Sequence, residues 1–150
     1  MLFTSFWGWK PHEWGAVGWS NAEGRTHRDK LLKRLSDPFI CAVYVANNPR
    51  GTDSDLLGKI AGFYLLNHET GDREEFTHPV HHGLEPQKWR HSVRAIRAFT
   101  YTADPLLDAY EFEPSLRTGK AQSVARWLMK ITDPKQIQLL RETRCQEVPV

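Results

Sequence analysis

Phe39 to Ala46 reads FICAVYVA, eight residues with no charge and a run of β-branched and aromatic side chains. A short continuous apolar run of this kind predicts a central strand covered on both faces. A second run of the same character, KIAGFYLLN, follows at Lys59 to Asn67. Between them NNPRGTDSD (Asn47 to Asp55) collects Asn, Pro, Gly and Asp, which suits a long hairpin connection. Gly62 inside the second run predicts a bulge or a close backbone approach.

Outward from this pair, Leu2 to Trp9 alternates loosely and reads as a first strand, ended by Lys10-Pro11. Trp14 to Ser20 reads as a turn or short strand. Asn21 and Thr26 are candidate N-caps of a helix running to about Leu35, which Ser36-Asp37-Pro38 breaks. HETGDREEF, His68 to Phe76, is expected as a turn, and Val93 to Tyr101 as a half-buried strand. Ala121 to Lys130 is expected as a short helix with Val124, Trp127 and Leu128 inward. A last helix begins at Asp133-Pro134, with Pro at N1, and runs to about Arg144. Helices do not alternate regularly with strands, so the fold class is α+β. A curled mixed β-sheet or open β-barrel flanked by helices is expected. Residues 1–150 form a single domain in this reading, with 1–101 sheet-rich and 102–150 a largely helical tail packed on it.

The chain has 150 residues, 40% of them apolar and 25% charged, an ordinary globular balance. No apolar run approaches the roughly 18 residues that cross a bilayer. MLFTSFWGW lacks the basic region and cleavage pattern of a signal peptide, so a cytoplasmic location without membrane association is expected. Cys41 and Cys145, the only cysteines, are too far apart in sequence to suggest a zinc motif or a disulfide framework. The net charge of +2 permits an anionic partner without demanding one. Six tryptophans are the more informative excess.

Metal chemistry is not indicated. His78, His81, His82 and His91 are close in sequence, but Pro79 and Gly83 interrupt them and no cysteine completes a zinc pattern. Ser20 lacks the flanking glycines of a nucleophile elbow, and Cys41 sits mid-strand among apolar neighbours that disfavour a thiolate. Asp53, Asp55, Asp72, Glu74 and Glu75 read as solvated loop charge. RTGK, Arg117 to Lys120, is a basic turn and no phosphate-binding glycine motif is present. No catalytic residue, metal or cofactor is therefore assigned. What remains is basic charge interleaved with aromatics. Arg25, His27, Arg28, Lys30, Lys33 and Arg34 share one predicted helix, and Lys88, Arg90, His91, Arg94 and Arg97 cluster before and within the last strand. Basic groups hold a nucleic-acid backbone and aromatic faces stack bases. Trp89 and Trp127 are expected in the core. Trp7, Trp9, Trp14 and Trp19 have too little cover for all to be core, so one or two should line a pocket.

The order of these features resembles the PUA-like superfamily, in particular its EVE, YTH and ASCH branches. Gly15-Ala16-Val17-Gly18-Trp19-Ser20-Asn21 is similar to the turn that precedes the first helix in EVE and YTH domains. Val43-Tyr44-Val45-Ala46-Asn47 resembles the strand that follows, and Gly58-Lys59-Ile60-Ala61-Gly62-Phe63 the one after it. Lys88-Trp89-Arg90-His91-Ser92-Val93 is similar to an element opening a later strand in EVE domains. The likeness covers roughly residues 1–101. It implies a pocket for one modified nucleobase, with Trp19, Ser20 and Asn21 from the opening turn. Trp7 or Trp9 would come from the first strand and Tyr44 from the central one. Arg25, Arg28, Lys33, Arg90 and Arg94 would contact the backbone.

The expected function is thus a non-enzymatic reader of a modified or flipped base in DNA or RNA, working beside a nuclease or methylation system. One alternative is a small ASCH-like enzyme acting on RNA or a nucleotide, with His12, Glu13 or His27 as general base. The other is a regulatory domain whose tryptophans bind a protein partner.

Overall fold

A computed structural model of the chain describes residues 1–6, 9–19, 39–45, 55–66, 76–78, 87–89, 91–112, 114 and 128–150. The expected helix from Asn21 to Leu35, most of the loop after Ala46 and residues 121–127 lie outside them.

FICAVYVA forms β3, Phe39–Val45. Cys41, Ala42, Val43 and Val45 have no exposed surface and Tyr44 almost none, so the run is a central strand, as its composition predicts. Its antiparallel neighbour is β4, Ile60–Leu66. On the other side β3 runs parallel to β1, Leu2–Phe6, which makes the sheet a mixed one. A helical turn, α1 (Pro11–Trp14), then leads through Gly15 into β2, Ala16–Trp19. Gly15 has φ +50, a left-handed value that costs glycine little, and its N–H closes the turn on the Pro11 carbonyl at 2.9 Å.

The eleven-residue β7, His91–Tyr101, ties the sheet together. Its N-terminal residues pair with β2 and its middle and end with β4, both antiparallel. The strand order β2-β7-β4-β3-β1-β8 is an open path, with β9 added on β7. A mixed sheet with few helices among the described residues is compatible with the α+β class that the sequence predicts. Phe76–His78 (β5) and Gln87–Trp89 (β6) pair in a separate two-stranded ribbon, where the sequence suggested a turn ending at Phe76 and, at Lys88-Trp89, the opening of the later strand.

The chain after Tyr101 differs most from expectation. One helical turn, α2 (Ala109–Phe112), and the helix α3 (Pro134–Glu142) are present. Asp133 caps α3 by accepting from the Lys135 N–H at 2.9 Å, with Pro134 at the first turn, as the sequence predicts. Leu128–Lys130, expected as the end of a helix, is instead β8, antiparallel to β1. Cys145–Val148 is β9, antiparallel to the end of β7. Both strands give partners to backbone groups of β1 and β7 that local helical patterning does not reveal.

The sheet has two differently furnished faces. On one, Ala42, Tyr44, Ile60 and Tyr101 pack with Ala109, Ile131 and Leu140, so α2 and α3 cover it. On the other lie Cys41 and Tyr64, directly paired across β3 and β4, and the row Val43, Gly62 and Thr100.

Candidate functional site

The second face carries Trp9. The expected strand Leu2 to Trp9 ends at Phe6, and Trp9 follows in the connection before α1. Its indole Nε1–H donates to the Thr100 hydroxyl at 2.9 Å, joining residues 91 positions apart. Its ring packs at 5.0 Å, tilted by 46°, against Tyr64. Gly62 makes this seat. A Cβ there would stand 2.6 Å from Trp9 Cε2 and would also collide with the Phe99 carbonyl oxygen. The expected bulge is present too. Val43 faces Gly62 while Tyr44 faces Ile60, so β4 holds one extra residue, Ala61.

Trp9 stays partly exposed, whereas Tyr64 beneath it is wholly buried. The Tyr64 hydroxyl is the one buried side-chain polar atom among the described residues without a hydrogen-bond partner. Burial holds it far above the ordinary tyrosine value, so it stays a neutral O–H. Burial likewise pushes the Cys41 thiol up, which removes it from thiolate chemistry and agrees with its apolar setting in the sequence.

Of the residues expected to line a pocket, Trp9 lies on this face. Tyr44 is not beside it, because strand alternation sends Tyr44 to the face packed by Leu140 and Ile131. A residue adjacent to Val43 in the strand cannot share Val43's face, so Tyr44 leaves the proposed wall. Trp19 ends β2 with its backbone opposite His91. Arg94 pairs in register with Ala16 and its side chain is exposed. Trp7, Ser20, Asn21, Arg25, Arg28, Lys33 and Arg90 lie outside the described residues, as do His27, His81 and His82. Tyr64 and Thr100 were missed. Counting by two along β4 from Gly62, and along β7 from Ala98, puts both on the Trp9 face, but only the register shows which tryptophan they meet.

Among the described residues no three His, Cys, Asp or Glu side chains gather to hold a metal, and no helix is long and apolar enough to cross a membrane. Comparisons with protein-family models, curated proteins and solved structures each gave no match to this chain.

Proposed function

We propose that this chain is a non-enzymatic nucleic-acid-binding module of PUA-like type, which holds one modified or flipped base against the Trp9 face. The observation that carries the reading is the anchoring of Trp9. Its indole is oriented by Thr100, seated on Gly62 and backed by Tyr64, yet keeps accessible surface. An aromatic fixed before a ligand arrives loses little freedom on binding, and base stacking contributes about 1–3 kcal/mol. Trp19, Ser20 and Asn21 from the opening turn, with Trp7, supply the rest of the wall and the polar contacts. Arg25, Arg28, Lys33, Arg90 and Arg94 supply the sequence-independent, salt-sensitive attraction to phosphate. A nuclease or methylation system is the kind of partner such a module serves.

The test is titration of short single-stranded and duplex oligonucleotides, with and without a modified base, across a salt series. A modified base should bind more tightly at every salt concentration. Trp19→Ala or Asn21→Ala should remove about 1–3 kcal/mol of that preference. Binding that depends on salt alone and ignores both substitutions overturns the reading.

A further inference from the structure

We infer that Gln146, on β9, reads the hydrogen-bonding edge of the base stacked at Trp9. This rests on the function proposed above and adds a residue from a strand outside residues 1–101.

The sheet register places it. β9 runs antiparallel to β7 with Gln146 directly opposite Thr100, so the two side chains share a face. The same row continues through Gly62 on β4 to Val43 on β3. Trp9 sits on Gly62 and directs its indole Nε1–H to the Thr100 hydroxyl, 2.9 Å away. The Nε1 edge of the ring is thus turned toward β9, where Gln146 follows Thr100 in the row. Directly opposed residues have Cβ atoms about 4.5–5.5 Å apart, a gap that a glutamine side chain spans. Glu147, the next residue, pairs with Phe99 and turns to the opposite face, where Arg97 binds it.

The chemistry of the side chain fits the task. Gln146 is exposed, so its carboxamide stays hydrated until a base arrives and carries no burial penalty in the unbound protein. Gln136 donates to the Phe112 carbonyl at 3.0 Å and Gln138 to Glu142 at 2.9 Å. Among the described residues no hydrogen bond holds the Gln146 carboxamide in this way. A base stacked on the indole leaves the bond between Trp9 and Thr100 intact and brings one edge to that carboxamide. The group sets one acceptor beside one donor, so it pairs with an edge that sets an N–H beside a lone pair. Adenine offers this with N6 and N7, whereas the same edge of guanine carries two acceptors, O6 and N7. The ligand class is therefore an adenine-type base presented by a single strand.

The experiment compares wild type with Gln146→Leu. Four short strands of abasic sites are titrated, carrying at the centre an adenine, an N6-methyladenine, a guanine or no base. The melting temperature of each protein is recorded. Wild type should bind the better of the two adenine strands about tenfold more tightly than the guanine strand, and Gln146→Leu should bring that ratio close to one. Affinity for the strand without a base and the melting temperature should not change, because the residue is exposed. An unchanged ratio in the variant overturns the role of Gln146 and leaves stacking at Trp9 standing. So does a wild type that binds adenine and guanine strands alike, both more tightly than the strand without a base. A variant that melts well below wild type also overturns it, because the side chain then serves the ladder between β7 and β9. A wild type that binds all four strands equally overturns both readings.

Discussion

Two buried tyrosines, on neighbouring strands and opposite faces of one sheet, meet different fates. Tyr101 sits in the face covered by α2 and α3, and its hydroxyl is bonded to the last turn of α3. Tyr64 sits in the face crossed by Trp9, and its hydroxyl is bonded to nothing. The first face is finished as a core: aliphatic and aromatic side chains close on one another and the buried oxygen is satisfied. The second is packed just as closely at Gly62, but its polar accounts are left open. Both faces are therefore buried, since Val43, Val45 and Tyr64 of the second are as fully covered as Ile60 and Leu140 of the first, and they differ in whether the buried tyrosine oxygen is matched.

The sharpest way to break the comparison is Gly62→Ala. The added methyl meets the Phe99 carbonyl as well as Trp9, so backbone must move and not only the indole. Overpacking of this kind should cost about 3 kcal/mol. In a domain of this size that lowers the melting temperature by roughly 6–12 °C. A melting temperature within a degree or two of wild type would show that neither the Phe99 backbone nor Trp9 packs tightly on Gly62.

Alkaline titration should come next. Tyr64 and Tyr101 are both held above the ordinary value of 10.0, chiefly by burial, and Cys41 above its ordinary 9.0. Above those ordinary values the unfolded chain releases protons that the folded chain keeps. Stability is therefore fully present below them and falls as pH rises, from about pH 9 for the thiol and about pH 10 for the phenols. Each group removes about 1.4 kcal/mol per pH unit while only its unfolded form is ionised. Chemical denaturation between pH 8 and pH 11 measures the slope, and Tyr64→Phe or Tyr101→Phe should each flatten it. A stability flat to pH 11 would mean that these side chains reach solvent.

At neutral pH the same two substitutions should diverge. Tyr101→Phe takes a donor from the Leu140 carbonyl and should cost about 1–2 kcal/mol. Tyr64→Phe removes an unmatched oxygen, so stability should hold or rise by up to about 1 kcal/mol. Equal losses in both would erase the difference between the faces.

The contrast also explains what could be read from the sequence. β3 and β4 were legible because a central strand needs apolar side chains on both faces, and FICAVYVA and KIAGFYLLN supply them over the right length. Gly62 and the Asp133-Pro134 cap were legible because each obeys a local backbone rule. β8 was not, since Leu128 to Lys130 is defined by the free edge of β1, more than a hundred residues away in the chain. Tyr44 was misplaced for a related reason. Its aromatic character was visible, but the face it occupies follows from the bulge and the register with β4. The meeting of Trp9 with Thr100 is equally non-local, so a tryptophan count suggests an aromatic wall without naming its members.

The smallest effect should come from the edge of the first face. Arg97 reaches across from β7 to Glu147 on β9 with two hydrogen bonds, at 2.8 and 2.6 Å. Its guanidinium also lies 4.9 Å from the Phe99 ring centroid. The hydrogen bonds from Arg97 hold the Glu147 carboxyl below its ordinary 4.5. Whatever stability this adds is present above that value and is lost as pH falls through the folded one. Both side chains are about half exposed, at 51% and 50%, so water and salt already compete for the charges. Glu147→Gln should thus melt close to wild type at neutral pH, and any gap should close as salt is raised. A large, salt-resistant loss would mean that β9 is held mainly by this pair rather than by its ladder on β7. The face covered by α2 and α3 would then depend on its rim as well as on its packed side chains, and the contrast between the two faces would have to be redrawn.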